Sequence, residues 1–178
     1  RRNDVYENAR PEIEKMDEQI EEVANLMFEE AGRGVHIYRS RNEVDIQLPN
    51  APGMRVPLHC TSLGKAILAF RPEERVREIA AEHGLPARTD NTITSEEELL
   101  DELQTVREQG YALDREENML GLRCVGVPIR RNGRVVASIS VSGPKRRMNA
   151  ERFTEQVPEL LLSKANVIEL NIRNKAER

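Results

Sequence analysis

The amino-acid sequence predicts an α+β fold in which hairpin-paired strands alternate with amphipathic helices, and three observations carry the prediction. Val125, Val127 and Ile129 alternate before Asn132-Gly133, and Ala137, Ile139 and Val141 alternate after it. A two-residue hairpin loop needs positive φ at its centre, which Asn and Gly tolerate best, and period-two alternation means that each strand buries one face. Near the N-terminus, Ile13, Met16, Ile20, Val23 and Met27 recur at heptad spacing, as on one face of a helix. Ser95 with Glu98 forms a capping box ahead of Leu99, Leu100, Leu103 and Val106, and Gly110 is placed to terminate that helix.

The chain has 178 residues, enough for one domain with a substantial core or a domain with an appended helix. A net charge of −4 gives no general attraction to nucleic acid, so DNA binding by this chain itself is not expected. The two cysteines, Cys60 and Cys124, lie in different segments, which suits a reduced cytoplasm rather than a disulfide framework. No apolar run reaches membrane-spanning length, and the chain is expected to be soluble and cytoplasmic. Arg1, Arg2 and Asn3, without an initiator Met, read as the cut end of a longer polypeptide.

Taken in order, residues 8–31 read as a helix with Pro11 in its first turn and Gly32 and Gly34 at its end. Its apolar seam suits packing on its own sheet or pairing with a partner subunit. Residues 35–39 and 44–48 alternate as paired strands, with 40–43 as the turn, and residues 49–53 form a Pro- and Gly-containing loop. A short strand at 54–59 leads to a helix start at Thr61 or Ser62, followed by Leu63, Ala66, Ile67 and Phe70 at helical spacing. There Gly64 permits close packing, and Lys65 is expected to point to solvent. Residues 72–83 form a short helix closed by Gly84, and residues 111–114 a strand ahead of an acidic turn. Beyond the hairpin, Asn149 caps a long helix carrying Phe153, Val157, Leu160, Leu161, Ile168 and Ile172, in which Pro158 marks a kink or the true start.

The chemistry is that of a binding site. Asp114, Glu116 and Glu117 crowd one turn, but no nucleophile or base stands at a telling spacing from them, and Glu116 reads as a solvated turn carboxylate. His36, His59 and His83 lack metal-ligand spacing, and His83 suits a helix C-terminus. His59, Cys60 and Cys124 would form a metal or thiol site only if the strands brought them together. No Gly-rich phosphate loop is present. What remains is a strand with Ser138, Ser140 and Ser142 on one face, a helix start and an acid at a strand end. Hydroxyls and backbone N–H groups of that kind satisfy carboxylate oxygens, so the set fits recognition of a small polar acid. An enzyme, an interaction module without a ligand, and a thiol or metal sensor are the alternatives.

The residues also resemble a known family. The run from Gly110 through Asp114, Glu117, Cys124-Val125-Gly126 and Ile129 is similar to the signature of the IclR transcriptional regulators. So are Leu58-His59 before Leu63-Gly64-Lys65-Ala66, the segments GYALDREE and GLRC, and SISVSGP ending at Pro144. The resemblance covers nearly the whole chain. It implies a GAF-like domain, a mixed and mostly antiparallel sheet flanked by helices, spanning residues 32–178 after a connecting helix at 1–31. It also implies that an N-terminal winged helix-turn-helix, absent from this chain, contacts DNA, and that the protein forms homodimers or tetramers. On this resemblance the domain is a small-molecule sensor with no catalytic residues, metal or cofactor. Its effector, a small carboxylate, would be bound by backbone N–H groups of Ser62 and Leu63 and by Asp114, Cys124, Ser140 and Ser142. Two departures stand out. Arg130 and Arg131 replace an aromatic or acidic pair, and Ser62 occupies a position often held by Ala or Gly, which would favour a more polar acid.

Overall fold

The computed structural model describes residues 2–41 and 51–176. In chain order the elements are α1 (Arg2–Ile20), β1 (Val23–Glu30), β2 (Arg33–Arg39), β3 (Arg55–Val56), α2 (Ser62–Leu68), α3 (Glu73–His83), α4 (Glu96–Gln109), β4 (Ala112–Arg115), β5 (Leu122–Arg131) and β6 (Arg134–Pro144). A π-helical turn, Arg152–Gln156, then runs into α5 (Val157–Ala176). The strands form one six-stranded sheet in the order β3-β2-β1-β6-β5-β4, and its pairings are antiparallel. The architecture is the α+β, GAF-like sheet with flanking helices that the sequence led us to expect.

The hairpin sets the register of the centre. Asn132 (φ 52°) and Gly133 (φ 75°) both take positive φ, as a tight turn of this kind requires. The turn pairs Ile129 with Ala137, Val127 with Ile139 and Val125 with Val141. Those side chains share one core with Val5, Ala9, Ile13 and Met16 of α1 and with Val157, Leu161, Ile168 and Ile172 of the C-terminal helix. A second core, built from Leu63, Ile67, Val76, Ile79, Leu99, Leu103 and Val106, unites α2, α3 and α4 with Met27 and Ala112 of the sheet. The two helical layers therefore rest on separate apolar clusters.

The caps follow the sequence. Thr61 Oγ1 accepts from the Gly64 N–H at 3.0 Å, Ser95 Oγ accepts from the Glu98 N–H at 3.3 Å, and Gly110 ends α4 in the left-handed region. Asn149 Oδ1 accepts from the Arg152 N–H at 3.0 Å, and Pro158, the second residue of α5, lies inside a continuous helix directly after its π-helical turn, as the expected kink would require. His83 sits at the end of α3, with Nε2 2.9 Å from the Ala31 carbonyl.

The N-terminal reading needs correction. The helix does not run through residues 8–31: it starts at Arg2, carries Pro11 in its interior, and ends at Ile20. Val23–Glu30 is instead β1, an inner strand between β2 and β6. Glu21, at φ 56°, breaks the helix in the left-handed region, and its N–H closes the last turn on the Asp17 carbonyl at 2.8 Å. Residues 23–28 are buried on both faces of the strand, so their apolar run does not alternate, and its spacing imitates a heptad. The connecting helix assigned to 1–31 is thus a helix and a strand that share the main core. The strand expected at 44–48 lies outside the described residues. Strand β3 is shorter than the expected 54–59, and α2 stops at Leu68, before Phe70.

Candidate functional site

Close approach of α2 to the sheet creates the site. Gly126 of β5 lies under the first turn of α2, and a Cβ built there would stand 2.6 Å from the Ser62 carbonyl carbon and oxygen. A Cβ on Gly64 would stand 2.3 Å from the Leu58 carbonyl oxygen. Only glycine lets backbone meet backbone at both contacts. Beside this junction lies a small cavity of about 30 Å3, lined by His36, Thr61, Ser62, Leu63, Asp114, Asn118, Leu122, Cys124, Ser140 and Ser142. All six residues singled out in the sequence, Ser62, Leu63, Asp114, Cys124, Ser140 and Ser142, border this one space.

Register explains the convergence. Asp114 of β4 pairs with Cys124 of β5, and Cys124 pairs with Ser142 of β6. Gly126 pairs with Ser140, so the serines flank the point where α2 rests. Behind them Asn25 of β1, which sequence reasoning did not single out, donates from Nδ2 to the Oγ atoms of Ser140 and Ser142, at 3.2 Å each. Each hydroxyl that accepts from Asn25 keeps its own proton, and Ser142 also hydrogen-bonds the Cys124 side chain. Ser138 shares their face of β6 but is not in the cavity lining; it is fully buried, with no partner for its Oγ among the described residues.

Electrostatics suit an anion better than the formal charges suggest. Burial, reinforced by the Glu117 carboxylate, pushes Asp114 up to about 7, against the hydrogen bonds and the Lys65 charge that pull it down. Its Oδ1 accepts from the Glu117 N–H at 2.8 Å, which fixes the acidic turn. Burial likewise pushes the Cys60 thiol up to about 12 and Cys124 well above the ordinary thiol range. Both sulfurs therefore stay protonated and poorly nucleophilic.

Lys65, expected to face solvent, is fully buried. Its Nζ donates to both carboxylate oxygens of Glu117 at 2.9 Å, to the Leu113 carbonyl at 2.6 Å and to Glu102 Oε1 at 3.3 Å. These partners are 37 to 52 residues away in sequence, so no local pattern announces them. Glu117 is consequently a structural ion-pair partner, whereas Glu116 is partly exposed and accepts from the Gly121 N–H at 2.9 Å.

His59 and Cys124 do not meet in one site. His59 lines a different cavity, of about 50 Å3, among Leu58, Leu68, Val76, Ile79 and Leu99, and its Nε2 is 3.0 Å from the Pro86 carbonyl. Among the described residues, no group of three His, Cys, Asp or Glu side chains is arranged to hold a metal ion. No helix among them is long and apolar enough to cross a membrane.

Known proteins place this architecture. The chain is 36% identical over 173 residues to the probable HTH-type transcriptional regulator ArcR of Halobacterium salinarum, covering 95% of this chain and 66% of that protein. It spans between 44% and 66% of the lengths of this and two further curated relatives. An IclR homolog from Microbacterium hydrocarbonoxydans, solved with 4-hydroxybenzoate, matches with a TM-score of 0.87 at 25% identity, over 96% of this chain and 68% of that one. A double mutant of the PobR inducer-binding domain from Acinetobacter, solved with 3-hydroxybenzoic acid, matches with a TM-score of 0.84 at 26% identity, over 90% of this chain and 95% of that one. The family described as bacterial transcriptional regulator IclR C-terminal, a regulator domain rather than an enzyme, matches residues 1–169. Sheet order, hairpin signature and these likenesses agree: the chain belongs to the IclR C-terminal, effector-binding family of bacterial transcriptional regulators.

Proposed function

We propose that the cavity between α2 and the sheet is the effector site of a DNA-binding regulator, and that it takes a small organic acid. The observation that carries this reading is the convergence of donors on one space. Ser140 and Ser142 have their oxygens engaged by Asn25, Ser142 is also hydrogen-bonded to the Cys124 side chain, and Asp114 is raised into a range where it carries a proton of its own. The first N–H groups of α2, at Ser62 and Leu63, have no partner within the helix. A carboxylate accepts from all of these, whereas an ionised Asp114 would repel it. Complexes of two relatives with hydroxybenzoic acids support an acid as the class.

The thiol-sensor alternative is disfavoured by the burial that keeps Cys60 and Cys124 protonated. In the whole regulator, DNA would be met by a separate N-terminal domain, which accommodates the net charge of −4 of this chain. The acid would change DNA occupancy only by binding one conformational or dimeric state better than another.

The test is a panel of keto, aromatic and sugar acids titrated by calorimetry against the wild-type chain and a Ser140→Ala, Ser142→Ala variant. Losing two donors to a charged group is expected to weaken the best acid by about 100-fold or more. Unchanged affinity in the variant would remove the serines from the site. The variant also removes two hydrogen bonds of the Asn25 amide, so a small fall in melting temperature is expected alongside.

A further inference from the structure

One cavity residue has no task in holding a carboxylate. His36 of β2 is 4% exposed, and its Nδ1 has no hydrogen-bond partner among the described residues. A buried polar atom without a partner costs free energy unless something in the functional state satisfies it. His36 borders the cavity, so a bound ligand is in position to do so.

Position in the sheet says which part of the ligand it meets. The strand order β2-β1-β6-β5-β4 sets β2 at one side of the lining and β4, with Asp114, at the other, with the serine strand between them. A carboxylate held by Asp114, Ser140 and Ser142 therefore directs the rest of the molecule toward His36.

Resting on the acid-sensing reading above, we propose that His36 is a specificity-determining residue and that the effector is a hydroxy acid whose hydroxyl, remote from the carboxylate, hydrogen-bonds to His36 Nδ1. The chemistry selects a hydroxyl over the other candidates. A hydroxyl both donates and accepts, so it satisfies Nδ1 whichever ring nitrogen carries the proton, whereas a ketone only accepts. A second carboxylate would want a cationic partner. His36 does not supply one, because burial first and then the Arg39 charge bring it down to about 4, which leaves the ring neutral. Masking Nδ1 with a methyl or methylene group would leave the nitrogen as unsatisfied as in the empty cavity.

The experiment uses matched acids that differ by one hydroxyl: 3-hydroxypropionate against propionate, 3-hydroxybutyrate against butyrate, and 4-hydroxybenzoate against benzoate. Each is titrated by calorimetry against wild type, His36→Leu and His36→Gln. At least one hydroxy acid is expected to bind wild type about tenfold or more tightly than its partner, because a site built to bond a hydroxyl rejects the analogue lacking it. His36→Leu should erase that ratio, and His36→Gln, which keeps a donor and an acceptor, should retain part of it. The ratio within one variant is insensitive to a general loss of folding. If acids bind wild type without preferring the hydroxyl, or the preference survives His36→Leu, the inference is overturned and acid sensing stands. If no acid binds wild type, acid sensing itself fails, and the role of His36 fails with it.

Discussion

Replacing Lys65 with Met is expected to lower the stability of this domain by about 3–5 kcal/mol, the cost of removing one partner from a buried ion pair. The ammonium has no solvent exposure, and Glu117, which takes two of its hydrogen bonds, is 4% exposed. Without Lys65, Glu117 must either keep an uncompensated charge or take up a proton, while half-buried Glu102 turns to water. For a chain of this length the melting temperature should fall by about 10 °C. Adding Glu117→Gln to Lys65→Met should recover part of the loss, since the stranded charge is then gone. Urea denaturation of wild type and the two variants measures both effects. A loss below about 1 kcal/mol for Lys65→Met would mean that the pair contributes little. Binding should weaken as well, because Glu117 also positions Asp114 through its backbone N–H and accepts from the Arg115 N–H at 3.0 Å.

Gly126→Ala should damage the site more selectively. The added carbon would stand 2.6 Å from the carbonyl group of Ser62, which is backbone and has no rotamer to escape into. The first turn of α2 must lift from β5, at a cost of about 1–3 kcal/mol, as overpacking generally entails. Because Ser62, Leu63 and Ser140 all border that contact, acid affinity should drop by tenfold or more, on the order of what a misplaced first turn costs. Calorimetry on the folded variant decides it; wild-type affinity would show that the approach of α2 to Gly126 does not shape the cavity.

Much of this site is legible in sequence because its determinants are local. Asn132-Gly133 fixes the hairpin, the hairpin fixes which faces of β5 and β6 look toward α2, and serines at alternate positions follow. Strand β1 escaped that logic because a strand buried on both faces has no alternation to read, and Val23 and Met27 fell by coincidence on the heptad of the preceding helix. With β1 misread, Asn25 could not be assigned to the sheet that orients the serines. Lys65 was illegible for a different reason. A lysine becomes a core residue only when distant carboxylates and a carbonyl meet it, and nothing in the neighbourhood of residue 65 encodes Glu117 or Leu113. His36 likewise shows no motif. Its Nδ1 lacks a partner among the described residues, which only three-dimensional accounting reveals.

If an anionic acid is held by a protonated Asp114, binding must be accompanied by proton uptake. A carboxylate placed beside Asp114 raises its affinity for a proton further, so the complex holds the proton that part of the free protein lacks. With Asp114 at about 7, affinity should be greatest below pH 7 and fall as pH rises through it, by about tenfold between pH 6 and pH 8. Calorimetric titration of the tightest acid at pH 7, in buffers of different ionisation enthalpy, should report about half a proton taken up per acid bound, and Asp114→Asn should abolish the uptake. Binding without proton uptake, or the same uptake in Asp114→Asn, would mean that a protonated Asp114 does not hold the acid.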